Sequence, residues 1–313
     1  MDPFVLTIII IFSAGIVISV LRTTAKDPCM KDFCKDNIVI LMKSNRPVFG
    51  KLELTSSGLI LDYKEPYRSN GHYETSFIIY KNEFAAIKRV IRIVDDLNDI
   101  ENRRRVLRSL MIEKGFLSAI RRFFRNLFAL LRDSIVDTFR LYIGRTSPKS
   151  SVLSSGGTYI NKVGESFVDY VGNAYDPILE KLIGKEVVVE VSENGTWKEN
   201  LGVLRNYSKD FIELLSIKMP FSLELPINNK VFSHFDLSLD IGENELIIKN
   251  QRKNKIGVSI TEDSKDIEPG KTAVLKVISR DKPIKIVFHE VIDIIFPRSE
   301  AIIRHNTPEC SEN

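Results

Sequence analysis

The sequence predicts a mainly β fold with an α insert: an N-terminal transmembrane helix, two small β-barrels flanking an amphipathic helical segment, and a C-terminal β-sandwich. Three observations lead there. Residues Pro3 to Leu21 contain no charge. Short runs with strand-type alternation recur on both sides of a long helical pattern. Basic charge is gathered in that helical pattern: Arg103 to Arg145 holds ten arginines and one lysine against three carboxylates, a net of +8 in a chain whose total is +4. A basic block in an otherwise mildly acidic chain marks a local interaction surface.

Residues 3–21 form the first element. At about 1.5 Å rise per residue they cover roughly 29 Å, the hydrocarbon thickness of a bilayer. A cleavable leader is the competing reading, but the preceding residues carry Asp2 and no Lys or Arg, and Thr23-Thr24-Ala25 is a poor cleavage site. The C-terminal flank has Arg22, Lys26, Lys31 and Lys35. The positive-inside rule therefore predicts a single-pass protein of the cell membrane, N-terminus out and body cytoplasmic. Cys29, Cys34 and Cys310 are too few and too scattered for a disulfide framework, which fits a reducing compartment.

The first barrel is expected over 35–94. NIVILMKS, VFGKLELT, GLILDYKE, TSFIIYK and EFAAIKRVI alternate like strands and are separated by turn signals such as Asn45-Arg46-Pro47 and Ser69-Asn70-Gly71. Five short strands are most economically closed into a barrel, because closure removes the edges. A second barrel is expected over 178–234. Aligning Gly50 with Gly202 superposes Leu52 on Leu204, Ser56 on Ser208, Leu59 on Phe211 and Ile60 on Ile212.

A strand ending at a glycine, a bent second strand and then a third resembles the Sm-like, SH3-type small barrel over about thirty residues of each copy. Sm proteins carry an Asp and then an Asn after the second strand to hold a uracil base. This chain has Ser56 and Ile60, and again Ser208 and Ile212, at those offsets. The resemblance implies the barrel shape and not the RNA site. In organisation the chain also resembles single-span proteins of bacterial envelopes.

The insert is expected over 95–145. Asn98 with Glu101 makes a capping box for a helix over 99–114. Gly115 precedes a second helix over 116–143, which Gly144 ends. On a wheel, Leu117, Ile120, Phe124, Leu127, Phe128, Leu131, Ile135, Phe139 and Tyr142 fall on one face. Arg121, Arg122, Arg125, Arg132 and Arg140 lie on the opposite half. Such a helix packs on a protein core, or lies in the interface with its arginines on lipid phosphates. The contact residues are therefore expected to be Arg121, Phe124, Arg125, Leu127, Phe128, Leu131 and Arg132.

A small-residue linker with a short proline-led helix, PILEKLIG, spans 146–177 and beyond. A sandwich of immunoglobulin-like type is expected over 235–305, from LSLDI, ELIIKN, IGVSIT, TAVLKVI and IKIVFH. The closing run VIDIIFPRSEAIIRH parallels EFAAIKRVIRIV and is expected to pair back with the second barrel, with an ion pair between Asp293 and Arg298. Residues 306–313 are expected to be a disordered tail.

No residues assemble into recognisable chemistry. His72, His234, His289 and His305 are scattered without ligand spacing, and Ser154-Ser155-Gly156-Gly157 lacks the lysine of a phosphate loop. No catalytic, cofactor or metal residue is assigned. The expectation is a membrane-anchored, non-catalytic scaffold or adaptor. Its contacts would be the bilayer through the N-terminal span, a protein partner or further copies of itself, and anionic lipid through the arginine helix. A membrane-tethered nucleic-acid binder is the alternative, disfavoured because the aromatics lie away from the arginines. A membrane-associated enzyme ranks third.

Overall fold

The alternating runs form strands, and the strands join into three antiparallel sheets, so the protein is mainly β. The computed structural model describes residues 26–69, 71–113, 176–193, 195–218, 220–242, 245–260, 263–276 and 282–306. The expected span 3–21, the helix 116–143 with all seven of its contact residues, most of the linker and the tail after Asn306 lie outside them. Among the described residues no helix is long and apolar enough to cross a membrane.

The chain divides into two units, Met1–Asp27 with Arg108–Lys181 and Pro28–Leu107 with Leu182–Asn313. In the first, Asp176 Oδ1 accepts from the backbone N–H of Ile178 (3.0 Å) and Leu179 (3.2 Å), capping the short helix Pro177–Leu182. All three sheets belong to the second unit.

A first set of strands follows helix α1 (Pro28–Asp32): β1 (Asn37–Met42), β2 (Pro47–Leu54), β3 (Gly58–Ser69), β4 (His72–Tyr80) and β5 (Ile87–Ile93). The stretch EFAA, expected to start the fifth strand, lies in a 3-10 turn (Lys81–Ala86) in which Glu83 accepts from the Tyr80 N–H at 2.9 Å. Helix α2 (Asp99–Glu113) begins at the expected box: Asn98 Oδ1 accepts from Glu101 N at 2.9 Å, and Glu101 Oε2 from Asn98 N at 3.0 Å. After α3 (Pro177–Leu182) come β6 (Glu186–Glu193), β7 (Thr196–Tyr207) and β8 (Phe211–Ile217). The closing run splits at Pro297 into β16 (Ile292–Pro297) and β17 (Ala301–Asn306). Proline has no N–H to continue a ladder, and Glu300 N turns back onto Pro297 O at 3.0 Å.

These ten strands form one sheet in the order β17-β6-β7-β8-β16-β5-β1-β2-β3-β4. Each half runs fifth, first, second, third, fourth in its own chain order, so the two sets share one topology. Neither closes on itself by hydrogen bonds, as β4 does not pair with β5 nor β16 with β17. The fourth strand of the second set instead pairs with the fifth strand of the first. Closure was expected because it removes edges; the pairing of the two sets removes one edge from each and leaves two at the ends.

Between the third and fourth strands of the second set lie β9 (Phe221–Leu225), helix α4 (Asn229–His234), β10 (Leu237–Ile241), β11 (Glu245–Asn250), β12 (Ile256–Ile260), β13 (Asp263–Ile267), β14 (Thr272–Lys276) and β15 (Ile284–Phe288). They make a three-stranded sheet, β10-β11-β14, and a four-stranded one, β13-β12-β15-β9. The inward residues of both, among them Leu239, Ile248, Leu275, Val258, Ile286 and Phe288, share one core with Leu204, Leu214 and Ile294 of the ten-stranded sheet. A second core joins Cys29, Met30 and Phe33 to Ile38, Leu52 and Leu59 of the first set, and takes in Phe211 and Ile295 of the second. Strand β13 was not legible in the sequence because it is a polar edge with one buried end residue, Ile267.

The aligned glycines do equivalent jobs. Gly50 sits at φ +153°, and a Cβ there would meet Asp62 O at 2.7 Å; at Gly202 it would meet Ile217 Cγ1 at 2.9 Å. Each lets the second strand lie close against the third. Gly50 faces backbone at positive φ, whereas Gly202 faces the Ile217 side chain and, at 3.1 Å, the Leu215 backbone oxygen without a positive φ. Gly50→Ala is therefore expected to cost about 2–3 kcal/mol and Gly202→Ala about 1 kcal/mol, read from urea denaturation midpoints.

Candidate functional site

Strands β5 and β16 pair with Ile292 opposite Ile93, Asp293 opposite Arg92, Ile294 opposite Ile91 and Ile295 opposite Val90. All eight are buried. A charged pair in such a seam must be satisfied on every side, since desolvation costs several kcal/mol per ion. Arg92 achieves this. Its Nε (3.1 Å) and Nη2 (2.6 Å) donate to Asp293 Oδ2. Its Nη1 donates to Asp36 Oδ2 (2.7 Å) and to Asp32 O at the end of α1 (3.1 Å). The guanidinium also lies 4.1 Å from the Phe33 ring centroid.

Asp293 is filled from the other side by α2. Arg105 donates from Nε (2.6 Å) and Nη2 (2.8 Å), and the Ser216 N–H adds a bond at 2.9 Å. Ser216 has φ +58° and lies where the β8–β16 register shifts, from Ile292–Ile217 to Ile294–Leu214. The extra residue of that bulge frees an N–H from the ladder and aims it at the carboxylate. Burial pushes the Asp293 carboxyl up, but hydrogen bonds from Arg105 and the charges of Arg92 and Arg105 hold it below the usual range. The expected Asp293–Arg298 pair is thus replaced by pairs with Arg92 and Arg105. Arg298 instead lies over the Tyr207 ring, 5.9 Å from its centroid, because it follows the turn beyond Pro297.

Glu213, on β8, is fully buried, and neither carboxylate oxygen has a hydrogen-bond partner among the described residues. Burial, with Asp32 nearby, lifts its pKa well above the ordinary glutamate value despite Arg205 and Arg92. These surroundings favour its protonated form over the carboxylate.

A second clamp ties the inserted strands to the first set. Arg252 donates to Glu290 Oε1 (2.7 Å) and Oε2 (2.6 Å), to Asp96 Oδ1 (2.5 Å) and to Phe235 O (2.8 Å). Burial, only partly offset by Arg252, pushes Asp96 up to about 6.

The remaining features are the sheet ends and a cleft. β4 and β17 each have one side unpaired among the described residues, and they expose Ile78 (47%) and Ile302 (38%). A cleft of about 510 Å³ opens between the β2–β3 region and α4. Sequence reasoning missed the junction and the cleft. Single charges inside apolar runs, Arg92 in VIRIV, Glu213 in FIELL and Asp293 in VIDII, were the available signal. Among the described residues no group of His, Cys, Asp and Glu is arranged to hold a metal ion. Cys29 is buried, and its Sγ lies 3.8 Å from Phe211 O. Comparison with protein-family models, curated proteins and solved structures finds no match.

A raised pKa means that the folded state holds the Glu213 proton more tightly than the unfolded chain. Stability contributed at low pH is then lost as pH rises above about 4.5. Glu213→Gln keeps the neutral shape, so its urea midpoint is expected to fall less than that of the wild type between about pH 5 and about pH 8.

Proposed function

We propose that this chain is a membrane-anchored, non-catalytic scaffold that assembles with further copies of itself through the ends of its ten-stranded sheet. The observation that carries the reading is the internal junction. A fourth strand pairs with a fifth strand there, and the free ends are the other fourth strand, β4, and the other fifth strand, β17. A heterologous contact of this kind repeats head to tail and closes into a ring or runs on as a filament. In this reading the two sets are Sm-like, SH3-type modules, supported by the glycine that bends each second strand, and the inserted strands are an immunoglobulin-like sandwich. The span 3–21 anchors the body on the cytoplasmic face, and the 116–143 helix packs on protein or lies on the inner leaflet.

Register follows from the junction. Phe77 and Ile295 lie opposite equivalent third-strand residues, Leu61 and Glu213, while Val90 and Ile303 lie opposite equivalent first-strand residues, Ile40 and Val189. Copying the Ile295–Val90 pair places Phe77 opposite Ile303 of the next copy, and Ile78 opposite Ile302. Both exposed isoleucines are thereby covered. Nucleic acid gains no support: Ser208 Oγ accepts from Asp210 N (3.2 Å) and Phe211 N (2.9 Å), closing its own turn instead of facing a base.

Full-length protein in detergent is expected to sediment as a multiple of the 35.7 kDa chain. Ile78→Lys or Ile302→Glu alone should reduce it to monomer, and the two together in one chain should restore assembly, because each contact then joins a lysine to a glutamate. Wild type that stays monomeric at micromolar concentration, or single variants that assemble normally, would sink the reading.

The helix has its own test. Leu127→Asp with Leu131→Asp breaks the apolar face, and it is expected to abolish binding of a chain starting at residue 27 to anionic vesicles, measured by flotation.

A further inference from the structure

The cleft beside α4 is built unlike the rest of the surface. Its wall is aromatic: Phe49 of β2 stacks on His234 with centroids 4.2 Å apart and planes at 27°, and Tyr63 of β3 stands 5.9 Å from Phe49. Phe235 meets the far edge of His234 at 5.3 Å. Arg46, Lys64 and Lys230 line the opening against the single carboxylate of Glu65. Burial and the charges of Lys64 and Arg252 lower the His234 pKa to about 4, so the imidazole is neutral and offers one donor and one acceptor. Its ring nitrogens have no hydrogen-bond partner among the described residues.

Three cations against one carboxylate give the lining a net positive charge, which favours a negative occupant. A flat ring suits the wall, since stacking on aromatic faces adds about 1 kcal/mol beyond the area covered. The volume lies within the roughly 300–1,000 Å³ of small-molecule sites, which gather where layers of structure meet. Here the meeting parts are the first strand set and the inserted strands.

We propose that this cleft binds a small anion carrying a planar aromatic ring. Arg46, Lys64 and Lys230 hold the anionic group, Phe49 and Tyr63 flank the ring, and His234 hydrogen-bonds its polar edge. Arg46 also lies over Phe77 of β4, 5.1 Å from its centroid, but binding and assembly are read by separate measurements, so the site stands or falls apart from assembly.

Calorimetric titration of the full-length protein in detergent tests this with four probes: adenosine 5′-monophosphate, indole-3-acetate, adenosine and inorganic phosphate. One of the two ring anions is expected to bind with a Kd below about 1 mM and at least about tenfold more tightly than adenosine or phosphate. Which of the two binds better distinguishes a nucleotide from an aromatic carboxylate. Binding should shift the His234 imidazole resonance. Arg46→Glu and Lys64→Glu, both at exposed side chains, should each weaken it about tenfold without moving the denaturation midpoint. Failure of both ring anions to bind, phosphate binding as tightly as either, or affinity unchanged in both charge reversals would overturn the site.

Discussion

The buried pair of Arg92 and Asp293 is the constraint on which the rest of the sheet depends. It sits in the one seam that joins the two strand sets, and it draws in Asp36 and the α1 end from one side and Arg105 and Ser216 from the other. Its net contribution to stability need not be large, because two ions have left water to form it. Its contribution to register is. A slip of one residue would set Arg92 opposite an isoleucine and strip the guanidinium of its two bonds to Asp293, at a cost of about 3–5 kcal/mol. The bulge at Ser216 belongs to the same device, since a regular ladder would consume the N–H that Asp293 needs.

That seam also explains how an insertion of seven strands is tolerated. The inserted strands leave the second set after β8 and return at β16, the strand that carries Asp293. Their departure and return are pinned by Arg252, whose bonds to Glu290, Asp96 and Phe235 O link the inserted strands to the turn just after β5. Both clamps therefore act at the same end of the β5–β16 pair, where β5 finishes and β16 begins. The stacked Phe49 and His234 make a third link, between the first set and α4, and it is this link that opens the basic aromatic cleft.

Edges are usually a liability, blunted by charge, proline or cover. Here the two sheet ends carry Ile78 and Ile302 in the open, while their equivalents beside the internal seam are the buried Phe296 and the half-buried Arg89. Two like modules joined asymmetrically must expose the unmatched halves of the same interface. In the proposed assembly that asymmetry, more than any one side chain, supplies the two matching ends, and a membrane tether would raise their local concentration.

Much of the secondary structure was legible. Alternation in KEVVVEV and ELIIKN marked strands because one face of each is buried, the apolar run NIVILM marked one buried on both faces, and the Asn98–Glu101 box marked the start of α2 because cap chemistry is local. The Gly50–Gly202 alignment was visible because both positions exclude a Cβ. Sequence alone also determined the charge asymmetry of the chain. The return of the closing run to the second set was expected and is seen in the β16–β8 and β17–β6 pairs; what needed tertiary structure was the joining of the two sets to each other. Closing each five-strand set on itself and pairing the two sets are equivalent in local pattern, and only the seam's buried charges separate them. Arg92 and Asp293 stand 201 residues apart, so no local pattern could announce the pair. The cleft is likewise made of β2, β3 and α4 residues that share no periodicity. Hydrophobic pattern dictates which face of a strand is buried; matching of buried charge and backbone donors across the fold decides against what.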